Sequence, residues 1–350
     1  MSHKKVAALI EGPLDIVGDV HGEIEALQAL LHQLGYDRKG IHPQDRRLVF
    51  VGDLCDRGPD SPAVVELVRG MVEEGLAQCL VGNHELNILR SSSKSGNRWF
   101  LDPDHEEMRV AGEFWHSRAA PDSHKPKWLN FFASLPLALE REDLRVVHAA
   151  WVPGEIAALR RASGSTVDIY RTYEEQTLQA IEMEGLHHAI EIEKARWHHL
   201  LEDRNASVPL LTATGECDER YQMGNPVRVA TSGVERLAPE PFWSSGKWRM
   251  CDRVCWWDEY DEEVPVVVGH YWRQVAPLSG SSHASSKPHL FGETAPTDWL
   301  GAKSNVFCVD FSVGARYQER KSGVNDFGTR LAAMRWPERE LWFETGRYQP

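Results

Sequence analysis

Six side chains that can bind metal ions stand at or just after the ends of apolar stretches of this chain. They are Asp19, His21, Asp53, Asn83, His148 and His270. Four of the six directly follow a glycine, which interrupts the extended run and turns the chain. Because sites in α/β sheets form outside the carboxyl ends of the strands, we expect the six side chains to converge on one metal centre.

The ligand types indicate which metals the centre would hold. Two carboxylates, three imidazoles and one amide carbonyl form a mixed oxygen and nitrogen set, which suits Mn, Fe or Zn better than a thiolate site would. A catalytic zinc uses only three protein ligands, so six ligands fit two metal ions that share a carboxylate. Asp53, which is central in chain order, is the expected bridge. Paired ions about 3.5–4 Å apart clamp both oxygens of a phosphoryl displacement and produce hydroxide near neutral pH.

Phosphoryl transfer also needs a proton donor for the leaving oxygen and a cation for the phosphate. His84 follows Asn83 directly, so it can lie beside the metals without binding them and act as the general acid. Asp56, three residues after Asp53, can orient His84 as carboxylates orient other catalytic imidazoles. Arg57 offers a planar guanidinium that binds phosphate through paired hydrogen bonds.

The elements that must position these residues alternate between strands and helices. Apolar runs predict strands over 14–17, 48–51, 77–81, 144–147, 264–268 and 306–310. Helical spacing of apolar residues predicts helices over 23–34 and 61–74, from residue 85, over 106–116 and over 128–135. Residues 330–335 and 340–343 are expected to pair as a final hairpin. The alternation within the first ninety residues predicts a parallel α/β sheet.

A long segment interrupts this alternation. Residues 153–204 are polar and mostly helical by pattern, and residues 205–263 are rich in Gly, Pro and aromatic residues. We therefore predict a single domain over 1–350 that carries a helical, Trp-rich insertion at approximately 152–262, placed as a cap over the site. The preferred interpretation of the aromatic residues is packing between cap and body. The alternative is stacking on a base or on the ring of a peptide substrate.

Composition excludes several functional classes. The net charge of −13 over 350 residues argues against a broad surface for duplex nucleic acid. It leaves a nucleotide substrate open, because bound metals supply local positive charge. No apolar run approaches the length of a membrane span, and the N-terminal apolar stretch is too short for a signal peptide. Six scattered cysteines favour a reduced, cytoplasmic protein.

Three motifs of this chain resemble those of a known family. They are Gly18-Asp19-Val20-His21-Gly22, Gly52-Asp53-Leu54-Cys55-Asp56-Arg57-Gly58 and Gly82-Asn83-His84-Glu85. They are similar to the motifs of the calcineurin-like metallophosphoesterases. The closer resemblance is to the phosphoprotein phosphatase branch, which includes serine/threonine phosphatases, the phage lambda phosphatase and bacterial dinucleoside tetraphosphatases.

The resemblance covers residues 14–90 and continues at His148, at Gly269-His270 and at 310–314, but it does not extend over 152–262. Ala149-Ala150 stands where eukaryotic protein phosphatases have Gly-Gly, which favours a bacterial type.

The resemblance implies an α/β fold arranged as a four-layer α/β/β/α sandwich. It implies one metal ion held by Asp19, His21 and Asp53, and a second held by Asp53, Asn83, His148 and His270. It also implies His84 as general acid assisted by Asp56, with Arg57 on the phosphate, beside Asn83.

The family's second phosphate-binding arginine lies between the last two histidine ligands. Arg228, Arg249 and Arg253 are the candidates in this interval, and Arg253 is preferred for its place before Trp256-Trp257.

Three functions follow from these expectations. The leading hypothesis is a binuclear-metal phosphoesterase that uses metal-bound hydroxide on phosphate monoesters, including phosphorylated Ser, Thr or Tyr side chains of proteins. The alternative substrate is a dinucleoside polyphosphate such as diadenosine tetraphosphate, held under the aromatic cap. A non-catalytic metal-binding scaffold is the hypothesis from another class. Lost ligands would mark such a scaffold, whereas this sequence has all six.

Overall fold

Two mixed β-sheets and the helices around them form the body of the protein. The computed structural model describes residues 4–102, 117–244, 246–275, 290–324 and 326–349. The strands are β1 (Val6–Ala8), β2 (Leu14–Val17), β3 (Arg47–Phe50), β4 (Ala77–Cys79), β5 (Ala138–Arg141), β6 (Leu144–Val147), β7 (Glu235–Ser244), β8 (Lys247–Arg253), β9 (Val266–Val268), β10 (Val306–Cys308), β11 (Ala332–Trp336), β12 (Glu340–Phe343) and β13 (Gly346–Arg347).

The helices occupy the connections between strands and most of the insertion. The α-helices are α1 (Ile24–Leu34), α2 (Ser61–Glu73), α3 (Asn83–Leu89), α4 (Arg98–Leu101), α5 (Lys125–Ser134), α6 (Pro153–Arg161), α7 (Thr166–Met183), α8 (Leu186–Trp197), α9 (Thr212–Met223), α10 (Pro226–Ser232) and α11 (Arg316–Lys321). Short 3₁₀ helices span Ser95–Asn97, His198–Leu200, Trp256–Asp258 and Val313–Ala315.

The first sheet has six strands in the order β13-β12-β11-β2-β3-β4. Strands β2, β3 and β4 run parallel, whereas β11 pairs antiparallel with both β2 and β12. The predicted parallel α/β unit and the predicted final hairpin are therefore both confirmed. Because β2 and β3 are parallel neighbours, their carboxyl ends, which lead to Asp19 and Asp53, lie side by side.

The second sheet has five strands in the order β1-β5-β6-β9-β10. Strands β6, β9 and β10 are parallel, so the ends that lead to His148, His270 and Asp310 lie at one edge. The sequence did not predict β1 or β5. Both are short, and β1 lies near the N-terminus without an alternating pattern long enough to distinguish a strand.

The two sheets pack face to face through alternate strand residues. Ile16 of β2 and Val49 of β3 belong to the same buried cluster as Val146 of β6, Val267 of β9 and Phe307 of β10. The next residue along each strand points to the opposite face, where helices cover it. Helices α1 and α2 pack on the six-stranded sheet, and α6 packs beside β1. These layers form the expected four-layer α/β/β/α sandwich.

The insertion departs from its prediction in one respect. Helices α6 to α8 lie in the part that was expected to be helical, and α9 and α10 follow it. Strands β7 and β8, however, form an antiparallel hairpin that the sequence did not reveal. Pro239 and Pro241 interrupt the apolar alternation of β7, and they coincide with an irregularity in register between Leu237 and Phe242. Proline is tolerated in strands at such bulges, so Pro239 and Pro241 lie where the strand bends.

The aromatic residues of the insertion divide into two groups. Trp256, Trp257 and Tyr260 are buried and belong to the main hydrophobic core, so the packing interpretation is confirmed for them. Phe242, by contrast, lines a cavity described below. The helix predicted over 106–116 lies outside the described residues.

Candidate metal centre

The carboxyl ends of both sheets meet at one cluster of polar side chains. Asp19 and His21 follow β2, Asp53 follows β3, Asn83 begins α3, His148 follows β6 and His270 follows β9. Ligand atoms of His21, Asp53 and His84 lie within 4.8 Å of one another, and so do those of Asp53, His148 and His270. Asp53 belongs to both groups, so the arrangement can hold two metal ions on either side of this carboxylate.

The side chain of Asp53 lies between the histidines. Its Oδ2 is 3.8 Å from His21 Nε2, 3.4 Å from His148 Nε2 and 3.9 Å from His84 Nε2. Its Oδ1 accepts a hydrogen bond from the backbone N–H of His84 at 3.0 Å. Asp19 lies on the other side, with its Oδ2 3.8 Å from His21 Nε2, and both its oxygens accept from the backbone N–H of His270 at 3.2 Å.

Backbone carbonyls fix the orientation of two histidine rings. His21 Nδ1 is 3.0 Å from the carbonyl oxygen of Cys55, and His148 Nδ1 is 2.9 Å from that of Val51. A carbonyl oxygen only accepts, so Nδ1 carries the proton in both rings. In the neutral ring, Nε2 therefore directs its lone pair into the centre, as outer hydrogen bonds commonly arrange for metal-binding histidines.

Two further observations fit the residues to a bound cation. His270 Nε2 is buried and has no hydrogen-bond partner among the described residues. His148 Nε2 lies 3.3 Å from Asn83 Oδ1, so a proton on Nε2 can join the two atoms by a hydrogen bond. A metal ion that both atoms bind would take the place of that proton, and the oxygen and nitrogen donor set suits Mn, Fe or Zn.

The electrostatics of the buried centre also favour a cation. Burial, together with the charge of Asp310, raises the pKa of Asp19 well above its usual range. Burial disfavours the protonated ring of His148, but the charges of Asp53 and Asp19 outweigh it and raise the pKa of His148 to about 10. Buried carboxylates are costly without a compensating positive charge, and a metal ion supplies one.

At two positions directly before a ligand, only glycine leaves room for the carboxylate of another ligand. A Cβ atom on Gly82 would lie 2.1 Å from Asp53 Oδ1, and one on Gly269 would lie 2.1 Å from Asp19 Oδ1. Any side chain at either position would push a carboxylate out of the centre. Gly82 and Gly269, which the sequence suggested as turns, therefore also leave room for a ligand from another strand.

Six residues of the centre have left-handed backbone conformations. The φ angles are 47° at His21, 49° at Asp53, 74° at Asp56, 69° at Arg57, 71° at His270 and 55° at Trp272. Such conformations are uncommon outside glycine and cost on the order of 1–3 kcal/mol each. Their concentration here is typical of a functional site, because the surrounding structure must impose them.

His84, Asp56 and Trp99 form a buried hydrogen-bonded chain beside the ligands. His84 Nδ1 is 2.5 Å from Asp56 Oδ2, and Trp99 Nε1 donates to Asp56 Oδ1 at 2.6 Å. Asp56 is 1% exposed and Trp99 is equally buried. The carboxylate therefore holds the ring of His84 with Nε2 facing the centre, as the predicted pair requires.

Arg57 reaches across the front of the centre. Its Nη1 is 3.3 Å from His21 Nε2 and its Nη2 is 3.1 Å from His84 Nε2. The guanidinium also lies 4.7 Å from the ring centre of Trp272. Stacking on Trp272 limits the orientations of Arg57 and keeps its donors directed toward the centre.

Four residues of the centre were not assigned a role from the sequence. Trp99 and Trp272 come from distant segments, and Asp310 accepts from the backbone N–H of Trp272 at 2.8 Å. Glu85 is fully buried and accepts from the backbone N–H groups of Asp53 and Gly82, both at 2.9 Å. The Gly-Asn-His-Glu motif contained Glu85, but nothing in the sequence revealed the tryptophans.

The candidate second arginines lie together. Arg228, Arg249 and Arg253 all line one cavity of about 470 Å³ between α9 and the β7–β8 hairpin. Arg253 is exposed at the end of β8. Burial, followed by the charge of Arg253, lowers the pKa of His270 well below its usual range. The preference for Arg253 as a phosphate ligand stays a prediction.

Comparison with known proteins agrees with this arrangement. A family model described as calcineurin-like phosphoesterase matches residues 12–271. The chain belongs to the calcineurin-like phosphoesterase family. The match includes every predicted metal ligand as well as His84, Asp56 and Arg57.

Curated relatives match less than half of the chain. The asymmetrical bis(5'-nucleosyl)-tetraphosphatase PrpE of Oceanobacillus iheyensis is 34% identical over 163 residues, which cover 45% of this chain and 63% of the relative. The protein of the same name from Geobacillus thermodenitrificans is 47% identical over 149 residues, covering 39% and 56%. The chain therefore spans little more than half the length of these relatives. A solved cold-active protein-tyrosine phosphatase from a psychrophilic Shewanella species is 14% identical, with 98% and 81% covered and a TM-score of 0.45.

The expectations about membrane-spanning segments and cysteines can also be compared with the structure. Among the described residues, none of the helices has the length and apolar character needed to cross a bilayer. All six cysteines are free thiols.

Proposed function

We propose that this protein is a two-metal phosphoric ester hydrolase. The observation that carries the proposal is the convergence of five metal-competent side chains around Asp53, with His84, Asp56 and Arg57 at the same edge of the two sheets. Membership in the calcineurin-like phosphoesterase family supports the same reaction class.

The proposed ligand sets share Asp53 as the bridge. Asp19, His21 and Asp53 would hold one ion, and Asp53, Asn83, His148 and His270 would hold the other. Manganese, iron and zinc all suit this set. Such a pair of ions supplies Lewis-acid stabilisation of the transferring phosphoryl group and hydroxide near neutral pH.

The chain's own residues would complete the reaction. His84, oriented through its 2.5 Å contact with Asp56, would donate a proton from Nε2 to the leaving oxygen. Asp56 would stabilise the charged ring, and Trp99 would hold Asp56 in place. Arg57 would bind the phosphate through its paired N–H groups, with its orientation limited by the ring of Trp272.

Phosphate monoesters, including phosphorylated protein side chains, are the first proposed substrates. Their hydrolysis requires the metal ligands, a proton donor such as His84 and a phosphate-binding cation such as Arg57, and all of these are present in the centre. Dinucleoside polyphosphates are the second candidate. The names of the two PrpE relatives support this candidate.

Two further properties belong to the proposal. Six free cysteines favour a reducing compartment such as the cytoplasm. The chain would form one domain, with residues 152–262 as an insertion that shapes access to the centre.

A substrate screen tests the proposal. The protein is loaded with Mn²⁺, and kcat/KM is compared for p-nitrophenyl phosphate, a phosphoserine peptide, a phosphotyrosine peptide and diadenosine tetraphosphate. We expect hydrolysis of at least one substrate, and loss of that activity on chelation. Stoichiometric binding of two metals without any hydrolysis would instead support the non-catalytic scaffold.

A further inference from the structure

One buried carboxylate beside the metal centre has no part in the proposed reaction. Asp310 is buried and lies two residues after the end of β10. Because β9 and β10 are parallel neighbours, the chain that follows β10 lies beside the chain that follows β9, which carries His270 and Trp272. Residues 310–314, here called the Asp310 loop, therefore lie at the edge of the sheets where the proposed ligands meet.

Both oxygens of Asp310 accept hydrogen bonds from the backbone. Its Oδ2 accepts from the N–H of Trp272 and its Oδ1 accepts from the N–H of Ser312, each at 2.8 Å. The hydroxyl of Ser312 in turn donates to the carbonyl oxygen of Arg273 at 2.9 Å. The carboxylate of Asp310 thus joins the segment after β9 to the Asp310 loop.

The two residues that donate to Asp310 both have left-handed backbone conformations. The φ angle is 55° at Trp272 and 66° at Ser312. A positive φ is an outlier for a residue as bulky as tryptophan, and it persists only where the surrounding structure imposes it. The hydrogen bond from the N–H of Trp272 to the buried carboxylate supplies such a constraint.

Trp272 and the Asp310 loop both contact Arg57. The guanidinium of Arg57 lies 4.7 Å from the ring centre of Trp272. Gly314, at the end of the loop, approaches the same guanidinium, because a Cβ atom there would lie 2.8 Å from Arg57 Nη1 and 2.3 Å from His21 Cδ2. The position of Arg57 therefore depends on two segments that Asp310 holds together.

Contacts with the body of the protein hold the Asp310 loop in place. Within the loop, the carbonyl oxygen of Phe311 accepts from the N–H of Arg330 at 3.0 Å. Beyond the loop, Arg320 of α11 forms an ion pair with Glu23, which is buried two residues after His21. The loop is thus supported both by the chain before β11 and by the segment that carries a proposed metal ligand.

We infer that Asp310 is a positioning residue, which holds the guanidinium of Arg57 in the orientation that binds the phosphate. The inference rests on the proposed function and adds a residue to it. Asp310 acts through Trp272 and through its loop, and both lie beyond residues 12–271, which match the family model. The competing roles for Asp310 are that of a further metal ligand and that of a carboxylate that only stabilises the fold.

The substitution Asp310→Asn tests the inference. It keeps the shape of the side chain but leaves one acceptor oxygen, so the N–H of either Trp272 or Ser312 loses its partner. We expect kcat/KM of the Mn²⁺-loaded protein for p-nitrophenyl phosphate to fall about ten- to a hundredfold, the factor that corresponds to one lost hydrogen bond to a charged group. Both metals should remain bound. Loss of a metal ion would make Asp310 a ligand and would overturn the inference.

A double-mutant cycle with Arg57 distinguishes positioning from a structural role. Arg57→Ala removes the guanidinium that Asp310 is inferred to hold. In the Arg57→Ala protein, the further change Asp310→Asn should lower kcat/KM less than twofold, because no guanidinium remains to be positioned. A carboxylate that only stabilises the fold would give losses that multiply, and this result would overturn the inference.

Asp37→Asn is the matched control. Asp37 Oδ1 accepts from the backbone N–H groups of Lys39 and Ile41 at 2.8 and 2.9 Å in an exposed turn, so this change also alters a carboxylate that accepts two backbone hydrogen bonds. Its kcat/KM should stay within twofold of the wild-type value. A loss equal to that of Asp310→Asn would show that the effect is not specific to the centre and would overturn the inference.

Ser312→Gly replaces Asp310→Asn if the latter does not fold. Glycine tolerates the φ angle of 66° at this position, and the change removes only the hydroxyl that donates to the carbonyl oxygen of Arg273. We expect kcat/KM to fall about two- to fivefold and to show no further loss in the Arg57→Ala protein. Losses that multiply in this cycle would likewise contradict the positioning role.

Calorimetry with inorganic phosphate separates this inference from the proposed function, because phosphate binding requires no turnover. The Mn²⁺-loaded wild-type protein is compared with Asp310→Asn, Arg57→Ala and the double variant. If no substrate is hydrolysed but Asp310→Asn weakens phosphate binding at least fivefold, and only when Arg57 is present, the proposed function fails and the positioning role stands. If substrates are hydrolysed but phosphate binds equally to the wild-type protein and to Asp310→Asn, the proposed function stands and the positioning role fails.

Discussion

Replacing Asp56 with asparagine tests the proposed acid–base pair most directly. Both oxygens of Asp56 accept, one from Trp99 Nε1 at 2.6 Å and the other facing His84 Nδ1 at 2.5 Å. An asparagine has the same shape but only one acceptor oxygen. Asp56→Asn must therefore leave one of the two N–H groups facing an amide NH₂ group, and it removes the charge that stabilises a protonated His84.

The size of the effect follows from the lost contact. A hydrogen bond to a charged group contributes about 1.5–3 kcal/mol. Since each factor of ten in rate corresponds to about 1.4 kcal/mol, we expect kcat to fall about 10- to 150-fold. The metals should remain bound, because Asp56 contacts His84 and Trp99 rather than the six proposed ligands.

The assay compares two leaving groups. A general acid matters most when the leaving oxygen is strongly basic, so Asp56→Asn should slow phenyl phosphate more than p-nitrophenyl phosphate. Asp60→Asn is the matched control, because Asp60 caps α2 through the N–H of Ala63 and does not contact His84. Equal losses with both leaving groups, or loss of metal from Asp56→Asn, would refute the proposed relay.

Further substitutions test other parts of the site and the fold. His84→Asn should retain both metals and lower kcat about 10²- to 10⁴-fold; metal analysis showing a lost ion would make His84 a ligand instead. Asp53→Asn should lose both metals together with activity, and an intact pair of ions in that variant would contradict the bridge. Trp272→Leu should lower kcat/KM about two- to fivefold, because the cation–π contact with Arg57 contributes about 0.5–1 kcal/mol; unchanged kinetics would remove Trp272 from the site. Asp15→Asn should lower the free energy of unfolding by about 3–5 kcal/mol in urea titrations, because this buried carboxylate pairs with two arginines, while the folded variant keeps its kcat.

Local sequence was enough to identify the proposed ligands. Each lies at a strand end, and a glycine directly precedes Asp19, Asp53, Asn83 and His270. The positive φ of Gly52 is a local requirement, whereas Gly82 and Gly269 are required by ligands from other strands. Parallel strands end at the same edge of a sheet, so the order of apolar runs and polar ends also predicted that the residues meet. The tautomers of His21 and His148, in contrast, depend on carbonyls of residues 30 or more positions away.

Long-range contacts determined what surrounds those ligands. Trp99 reaches Asp56 across 43 positions, and Trp272 reaches Arg57 from the far side of the insertion. Trp272 stands two residues after His270, but a tryptophan in a loop is equally compatible with ordinary packing, so neither tryptophan could be assigned this role from the sequence.

The structure of the insertion was the part of the fold that the sequence predicted least. The prolines of β7 lie at a bulge of a strand that the sequence did not reveal. Lys247, Arg249 and Arg253 of β8 come to line one cavity only because the hairpin packs against α9. The sequence by itself determined the metal-binding motifs and the strands that carry them, because both follow from neighbouring residues. Only the tertiary structure decided which distant side chains orient His84 and Arg57 and which charges lie together beside them, because those contacts arise when the sheets and the insertion pack.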